Sequence, residues 1–169
     1  MRIRELLTGK KPILTDGAMG TWYAEQTGES SFSEYANLTD PQRILAIHRS
    51  YIDAGAQLIR TNTFSANPFT LQLGWTKVEE LLAAGYRIAK EVAGIEAGVL
   101  CSIGPVPAEA DGVSTYVRMA RYFISLGAEA ILFETFDSSH DLLQVIKELR
   151  SGGFEGVIGT TFAVMPDGF

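Results

Sequence analysis

The chain has 169 residues, of which 46% are hydrophobic and 20% charged, a composition typical of one globular domain. Its 14 Lys and Arg residues against 20 Asp and Glu residues give a net charge of −6, which leaves no basic surface for nucleic acid or anionic lipid. The single cysteine, Cys101, excludes an internal disulfide framework and a multi-cysteine metal site built by this chain alone.

The first eleven residues mix basic and acidic side chains with short apolar runs, which is typical of neither a signal peptide nor a membrane span. No later segment reaches the roughly 18 uninterrupted apolar residues that a membrane-spanning helix needs. We therefore expect a cytoplasmic protein with no membrane partner.

The first predicted unit is a short strand over residues 13–15 that ends at the turn signal Asp16-Gly17. An irregular loop is expected from there to Asn37. A helix then follows with Pro41 in its first turn, apolar residues at helical spacing, and an end at Gly55.

Three similar units follow, each a short apolar run and then an amphipathic stretch. The predicted strands cover residues 58–59, 99–103 and 130–135, and the helices that follow them cover residues 78–92, 113–124 and 138–149. A fifth strand is predicted over residues 157–162. This alternation indicates an α/β protein with a parallel sheet.

An internal repeat supports this register. Five residues recur at an offset of 72: Gly55-Ala56, Ile59 and Thr63-Phe64 become Gly127-Ala128, Ile131 and Thr135-Phe136. The same offset aligns Asn62 with Glu134 at the carboxyl ends of two predicted strands.

Two architectures place ligands at those ends, an open doubly wound sheet and a (β/α)₈ barrel. The chain has no Gly-x-Gly-x-x-Gly or Gly-x-x-x-x-Gly-Lys motif after a strand, which argues against nucleotide binding on an open sheet. A barrel is favoured, and it is incomplete, with about five strands and four helices, because a full barrel takes about 250 residues.

Two carboxylates are candidates for ligand binding at the mouth of this barrel. Glu134 lies between large apolar residues, so its charge needs a cationic partner, either a structural one such as Arg60 or the ammonium group of a substrate. Asp16 alone fits simple turn chemistry, but together with Glu134 it forms a second anchor for an ammonium group. The glycines after Asp16 allow backbone N–H groups to approach a carboxylate.

Three other residues with potentially reactive side chains are assigned structural roles. His48 occupies the apolar face of its predicted helix and is expected in a core or interface. His140 lies in a first helical turn, where a protonated imidazole opposes the helix dipole, and is expected at the surface. Cys101 lies in an apolar strand and is expected to be a buried thiol.

As a set, seven short motifs resemble the homocysteine S-methyltransferase family in order and spacing across essentially the whole chain. They are Asp16-Gly-Ala-Met-Gly-Thr21, Asn37-Leu-Thr-Asp-Pro41, His48-Arg-Ser-Tyr51, Ala54-Gly-Ala56, Thr61-Asn-Thr-Phe64, Gly104-Pro105 and Phe133-Glu-Thr-Phe136. The sequences of these motifs are most similar to those of the homocysteine-binding module of cobalamin-dependent methionine synthases and of fusions of this module with methylenetetrahydrofolate reductase.

The resemblance implies a (β/α)₈ barrel in which zinc, held by three cysteine thiolates, binds the homocysteine sulfur. Zinc lowers the pKa of the thiol, so that a thiolate can accept a methyl group and give methionine. The methyl source would be methylcobalamin or methyltetrahydrofolate.

The resemblance also assigns the substrate-binding residues. Asp16 and Glu134 are expected to hold the ammonium group of L-homocysteine, and the backbone at Gly17, Ala18 and Met19 to receive its carboxylate. Asn62, at the level of Glu134, is expected in the same site. No residue of this chain is assigned a catalytic role.

The family's three zinc cysteines fall beyond the fifth strand, and Cys101 matches none of them. Residues 1–169 are therefore interpreted as the N-terminal part of the methyltransferase domain and are expected to be inactive by themselves. The alternative is a non-catalytic half-barrel, a binding or assembly module that self-associates or pairs with a complementary half. An aldolase is a weaker alternative because no lysine lies on a predicted barrel strand.

Overall fold

A computed structural model describes residues 3–164. The amino-terminal part contains helices α1 (Ile3–Thr8) and α2 (Met19–Thr27), a 3₁₀ turn (Ser33–Tyr35) and helix α3 (Ala36–Thr39). The expectation of an irregular loop up to Asn37 was therefore wrong. Helix α2 lacks a strong apolar stripe, so periodicity gave no signal for it, and it is held by burial of Tyr23 and by an edge-on contact between Trp22 and Tyr51.

The remaining elements alternate between helices and parallel strands. They are α4 (Pro41–Asp53), β1 (Leu58–Arg60), α5 (Pro68–Leu71), α6 (Trp75–Ala93), β2 (Gly98–Ile103), α7 (Gly112–Ser125), β3 (Ala130–Phe136), α8 (His140–Ser151) and β4 (Val157–Phe162). The four helices predicted from apolar periodicity correspond to α4, α6, α7 and α8. Gly55 and Gly127 follow α4 and α7 with φ of 99° and 89°, a conformation that glycine adopts without strain.

The first of the five predicted strands is reduced to one bridge. Thr15 pairs in parallel with Leu58, and the N–H of Asp16 donates to the carbonyl of Leu58 at 3.0 Å. The segment at 13–15 thus lies beside β1, but it is too short to extend the ladder. The described sheet has four strands together with this bridge.

The strand order distinguishes between the two architectures that the sequence left open. The strands pair in chain order, β1-β2-β3-β4, and every pair is parallel. A doubly wound sheet reverses its order at a switch point, whereas a barrel adds each strand beside the last. The fold is an α/β, incomplete (β/α)₈ barrel.

The core lies between the sheet and its helices. Its largest fully buried side chains include Ile59, Leu81, Phe123, Ile131 and Phe133. These come from β1, α6, α7 and β3, so the strands and helices share one apolar layer. This packing fixes the carboxyl ends of the strands relative to one another.

Helix α1 packs at the opposite, amino-terminal ends of the strands. Ile3 is buried against Leu58 and Ala130, the first residues of β1 and β3. By contrast, β4 has no fully buried residue, and Phe162 is 38% exposed. Within residues 3–164, no helix is long and apolar enough to cross a membrane.

Candidate amino-acid-binding site

A cavity of about 510 Å³ opens at the carboxyl ends of β1, β2 and β3. All of the predicted substrate-binding residues line it: Asp16, Gly17, Ala18, Met19, Asn62 and Glu134. Arg60 and Ser102 line the same cavity from the ends of β1 and β2. The sequence placed these residues at ligand-binding ends of strands, and the fold brings them to one cavity.

The Asp16 carboxylate is almost fully enclosed, with 2% of its side chain exposed. Its Oδ1 accepts a hydrogen bond from Arg60 Nε at 2.8 Å, and its Oδ2 accepts one from the Arg60 backbone N–H at 2.8 Å. Burial raises the pKa of Asp16, while the hydrogen bonds and the charge of Arg60 act in the opposite direction. Both oxygens of Asp16 therefore have partners within the protein.

Glu134 is the more accessible of the two carboxylates, with 15% of its side chain exposed. Its Oε1 accepts a hydrogen bond from an Arg60 guanidinium N–H, and its Oε2 accepts one from Ser102 Oγ at 2.7 Å. The structural partner that the sequence suggested for Glu134 is thus confirmed as a contact. The same arginine also contacts Asp16, which the sequence did not predict.

A bulge in β3 sets the direction of Glu134. Phe133 pairs with Thr160 and Phe136 with Phe162, so three steps along β3 face two along β4. Thr135 lies in the bulge with φ of 64°, and its N–H donates to Thr161 Oγ1 at 2.9 Å. Bulges next to binding sites redirect a side chain, and this one lies directly after Glu134.

Arg60 connects the two carboxylates and the loop between Thr15 and α2. Its NH2 group donates to the carbonyls of Asp16 at 3.2 Å and of Gly17 at 2.7 Å. Burial lowers the pKa of Arg60, but the charges and hydrogen bonds of Asp16 and Glu134 outweigh that effect and the net shift is upward. Arg60 is therefore a permanent cation in the wall of the cavity.

The backbone after Asp16 leads directly into a helix amino terminus. Ala18 precedes α2 without a side-chain cap, and the cavity is lined by Met19 and the residues after it. A helix amino terminus presents unpaired N–H groups and a positive partial charge, which suits an anion. A Cβ atom at Gly17 would lie 2.8 Å from Tyr51 Oη, which donates to the Ala18 carbonyl at 3.1 Å.

Asn62 faces the cavity, but the hydrogen bonds of its side-chain amide are made to other residues of the protein. Its Oδ1 accepts from Ser33 Oγ at 2.8 Å, and its Nδ2 donates to the Ser33 carbonyl at 2.8 Å and to Asn37 Oδ1 at 2.9 Å. Asn62 is 4% exposed. These contacts tie the end of β1 to the segment that precedes α4.

Ser102 and Glu34 are among the polar residues of this cavity that sequence reasoning missed. Ser102 is a polar residue in an apolar strand, and that contrast could have identified it. Glu34 is buried, and its Oε1 accepts from the Ser65 N–H at 2.6 Å; burial raises the pKa of its carboxyl group. Glu34 had no sequence signal, because the surrounding segment shows no periodicity.

The three residues set aside on sequence grounds lie apart from this site. His48 is fully buried in α4, as expected, but neither ring nitrogen has a hydrogen-bond partner among residues 3–164, and burial lowers its pKa to about 4. Cys101 is buried, which raises the pKa of its thiol. His140 is an exposed residue at the start of α8 and lines a separate cavity of about 500 Å³ between the loops after β2 and β3.

The described residues do not fit the zinc site that the family resemblance implies. Within residues 3–164, no group of three or more His, Cys, Asp or Glu side chains is arranged to hold a metal ion. Cys101 is buried within β2 and has no second thiol beside it, since the chain has one cysteine. Residues 3–164 therefore do not supply the ligands of such a zinc site by themselves.

Comparison with known proteins gives the same picture by an independent route. The model of the family described as homocysteine S-methyltransferase matches residues 13–166. Methionine synthases of Mycobacterium leprae and Mycobacterium tuberculosis are each 34% identical to the chain over 161 and 162 residues, and the matches cover 80% of the chain. The chain spans only 13% of the length of these relatives.

Two solved structures are similar to this chain in fold, although their sequence identity to it is low. The metallated form of the homocysteine methyltransferase MmuM from Escherichia coli matches with a TM-score of 0.76 at 19% identity, covering 96% of this chain and 66% of that one. Its apo form matches with a TM-score of 0.72 at 22% identity. At this level of identity the likeness concerns the fold alone.

Proposed function

Because the chain belongs to the homocysteine S-methyltransferase family, we propose that it forms the part of such an enzyme that binds the amino-acid end of L-homocysteine. The observation that carries the proposal is Glu134, a carboxylate held at the mouth of a cavity and still partly open to it. Residues 1–169 would then be the N-terminal part of the methyltransferase domain.

Glu134 is the proposed contact for the substrate ammonium group. Its two oxygens are oriented by Arg60 and Ser102, and a carboxylate has lone pairs for further hydrogen bonds beyond these two. An ammonium donor would meet a negative charge in a partly enclosed site, where the attraction is stronger than in bulk water. Asp16, which is more deeply enclosed, adds its charge from behind Arg60.

The substrate carboxylate is proposed to bind at the backbone of Gly17, Ala18 and Met19. This segment lines the same cavity as Glu134 and precedes the uncapped amino terminus of α2. Backbone N–H groups and the helix dipole both favour an anion there. One zwitterion would thus satisfy the acidic wall and the helix terminus together.

Asn62 is proposed to position the cavity wall. All three hydrogen bonds of its amide go to the segment that contains Ser33 and Asn37. Both N–H donors of the Asn62 amide are used in these bonds, so donation to a substrate acceptor would require one of them to break. We propose that the main contribution of Asn62 to binding is indirect, through the shape of the wall.

The sulfur chemistry is proposed to require residues other than 3–164. The family resemblance implies zinc, which when bound supplies a reactive thiolate, and a methyl group from methylcobalamin or methyltetrahydrofolate. This part of the chain offers no matching ligand set. We propose that residues 1–169 alone neither hold zinc at the family site nor transfer a methyl group, and stoichiometric, tightly bound zinc in a purified protein of these residues would contradict that.

The binding role of Glu134 is tested by Glu134→Ala in the full-length protein, with L-homocysteine binding measured by isothermal titration calorimetry. Loss of the ammonium contact should weaken binding more than tenfold, or by about 1.4 kcal/mol. Glu91→Gln on the exposed side of α6 is a matched control and should bind like the unmodified protein. An unchanged affinity in Glu134→Ala would refute the assignment.

A further inference from the structure

We propose that Arg60 is a positioning residue that holds Asp16 and Glu134 beside each other and leaves their site with one net negative charge. The inference rests on the proposed function, which it deepens by naming what adjusts the site to a ligand with a single ammonium group.

The geometry of Arg60 is that of a bridge. Nε and the backbone N–H bind the two oxygens of Asp16, and NH1 binds Glu134. NH2 binds the carbonyls of Asp16 and Gly17. One residue at the end of β1 therefore fixes the start of the substrate-binding loop and the acidic end of β3.

The charges explain why a bridge is needed. Two carboxylates in one partly buried site repel each other, and the charge of Glu134 indeed acts to raise the pKa of Asp16. Without the hydrogen bonds and charge of Arg60, burial and this repulsion would raise the pKa of Asp16 further. With Arg60 between the two carboxylates, the formal charges of the three groups sum to −1, which a single ammonium group neutralises.

The donor count excludes the other obvious role of this arginine. A guanidinium has five N–H donors, and four of those of Arg60 are used by Asp16, Gly17 and Glu134. Receiving a substrate carboxylate in a two-point contact needs two free donors. Arg60 therefore shapes the acidic wall, and the substrate carboxylate is left to the backbone at the start of α2.

Three other titratable groups face this site and must be considered in any pH experiment. Tyr51 packs beside the loop, and its pKa is raised by burial and by the charge of Asp16. Glu29 and Glu34 line the same cavity. None of them contacts Arg60 through a hydrogen bond among the described residues, so substitution of Arg60 removes no hydrogen-bond partner of theirs directly.

The test is Arg60→Gln in the full-length protein, compared with Arg60→Lys and with the surface control Arg118→Gln. Carboxyl titration by ¹³C NMR follows Asp16 in the ligand-free protein. In Arg60→Gln the pKa of Asp16 should move upward relative to the unmodified protein and to Arg118→Gln, because the hydrogen bonds and the charge that lower it are removed. Arg60→Lys, which keeps the charge, should largely restore the original titration.

Calorimetry in buffers of different ionisation enthalpy gives a second readout. Arg60→Gln should release up to one proton more for each L-homocysteine bound than the unmodified protein does, and its affinity should depend correspondingly more steeply on pH. The unmodified protein gives the baseline, which includes any proton that the substrate thiol itself loses on binding. A simple loss of packing would lower affinity equally at every pH.

The outcomes separate this inference from the function on which it rests. Unchanged carboxyl titration in a folded Arg60→Gln protein would overturn the role of Arg60, even if L-homocysteine binds. If Arg60→Gln does not fold, an Asp16 carboxyl group that is still protonated at pH 7 in the unmodified protein, or in Arg60→Lys, would overturn it. Absence of L-homocysteine binding together with the expected titrations would refute the proposed function and leave the charge-setting role of Arg60 standing.

Discussion

Arg60 donates two hydrogen bonds to the Asp16 carboxylate, one from Nε and one from its own backbone N–H, and each is 2.8 Å long. Arg60 ends β1, whereas Asp16 follows the single bridge that Thr15 makes to that strand. The pair therefore holds a loop in place where the backbone ladder has already stopped. The position of the loop, and of the helix that follows it, depends on this side-chain contact.

Gly17→Ala should weaken L-homocysteine binding and lower stability. A Cβ atom at position 17 would lie 2.8 Å from Tyr51 Oη, closer than real Cβ contacts allow, and 3.2 Å from its Cε1, which is tighter than most of them. Moving either the loop or the ring should cost about 1–3 kcal/mol. Chemical unfolding measures the stability, and calorimetry measures the binding.

Tyr51→Phe provides a matched test of this clash. Removing Oη takes away the shortest contact, so the double variant Gly17→Ala/Tyr51→Phe should recover part of the stability lost in Gly17→Ala. Gly74→Ala, at a position with no atom within 4 Å of the new Cβ, controls for the loss of a glycine. Additive effects of the two substitutions in the double variant would show that the clash does not exist.

Thr135→Gly should preserve or raise stability although it places a glycine in a strand. A β-branched residue with φ of 64° is strained by about 1–3 kcal/mol, whereas glycine adopts this conformation freely. Thr160→Gly, at a regularly paired position of β4, should instead lose about 0.5–1 kcal/mol. Equal losses in the two variants, measured by urea unfolding, would mean that Thr135 is not strained.

His48 should make the chain less stable in mild acid. Burial lowers its pKa to about 4, whereas a histidine in an unfolded chain titrates near 6.5. As the pH falls below about 6.5 the unfolded state binds the proton first, so the contribution of neutral His48 is full above that pH and is lost as the pH approaches 4. The loss amounts to about 3 kcal/mol.

His48→Met should remove most of this pH dependence. It should also maintain or raise stability at pH 7, because two buried nitrogens without partners disappear, each of which costs about 1–3 kcal/mol. The chain's other histidine gives the control, since His140 is exposed and His140→Met should keep the original profile. Urea unfolding between pH 4.5 and pH 7 makes the comparison, and the same slope in both variants would contradict it.

The parts of the fold that follow from periodicity were predicted correctly. Strands β2 and β3 are short apolar runs, and the helices beside them have apolar residues at regular spacing, because each packs against the same core. Strand β4 was also predicted from its apolar run, although its residues are at most partly buried. Helix α2 could not be found in this way. It is stabilised by contacts of Tyr23 and Trp22 with distant residues, and those contacts exist only in the folded chain.

The residues of the candidate site were anticipated from the sequence only in part. Asp16 and Glu134 were expected at the ends of strands, and both line one cavity in the structure, while their role in binding stays a prediction. The bulge at Thr135 could not be predicted, since threonine favours regular strands and its positive φ arises from the register of β3 against β4. The double contact of Arg60 depends on the same long-range geometry.

Residues 1–169 expressed alone should self-associate. Among the described strands β4 pairs only with β3, and Phe162 at its end is 38% exposed. An unpaired strand edge beside exposed apolar side chains is a surface for pairing with another chain. Sedimentation velocity should detect dimers or larger species, and a protein that stays monomeric at high concentration would contradict the expectation.

We propose above that the cavity recognises the ammonium group of L-homocysteine through Glu134. The most direct measurement compares, by calorimetry on the full-length protein, L-homocysteine with 4-mercaptobutanoate, which keeps the thiol and the carboxylate but lacks the amine. We predict that the analogue binds more than tenfold more weakly, a difference of about 1.4 kcal/mol, and that Glu134→Ala abolishes most of this preference. Equal affinities for the two ligands in the unmodified protein would contradict the account.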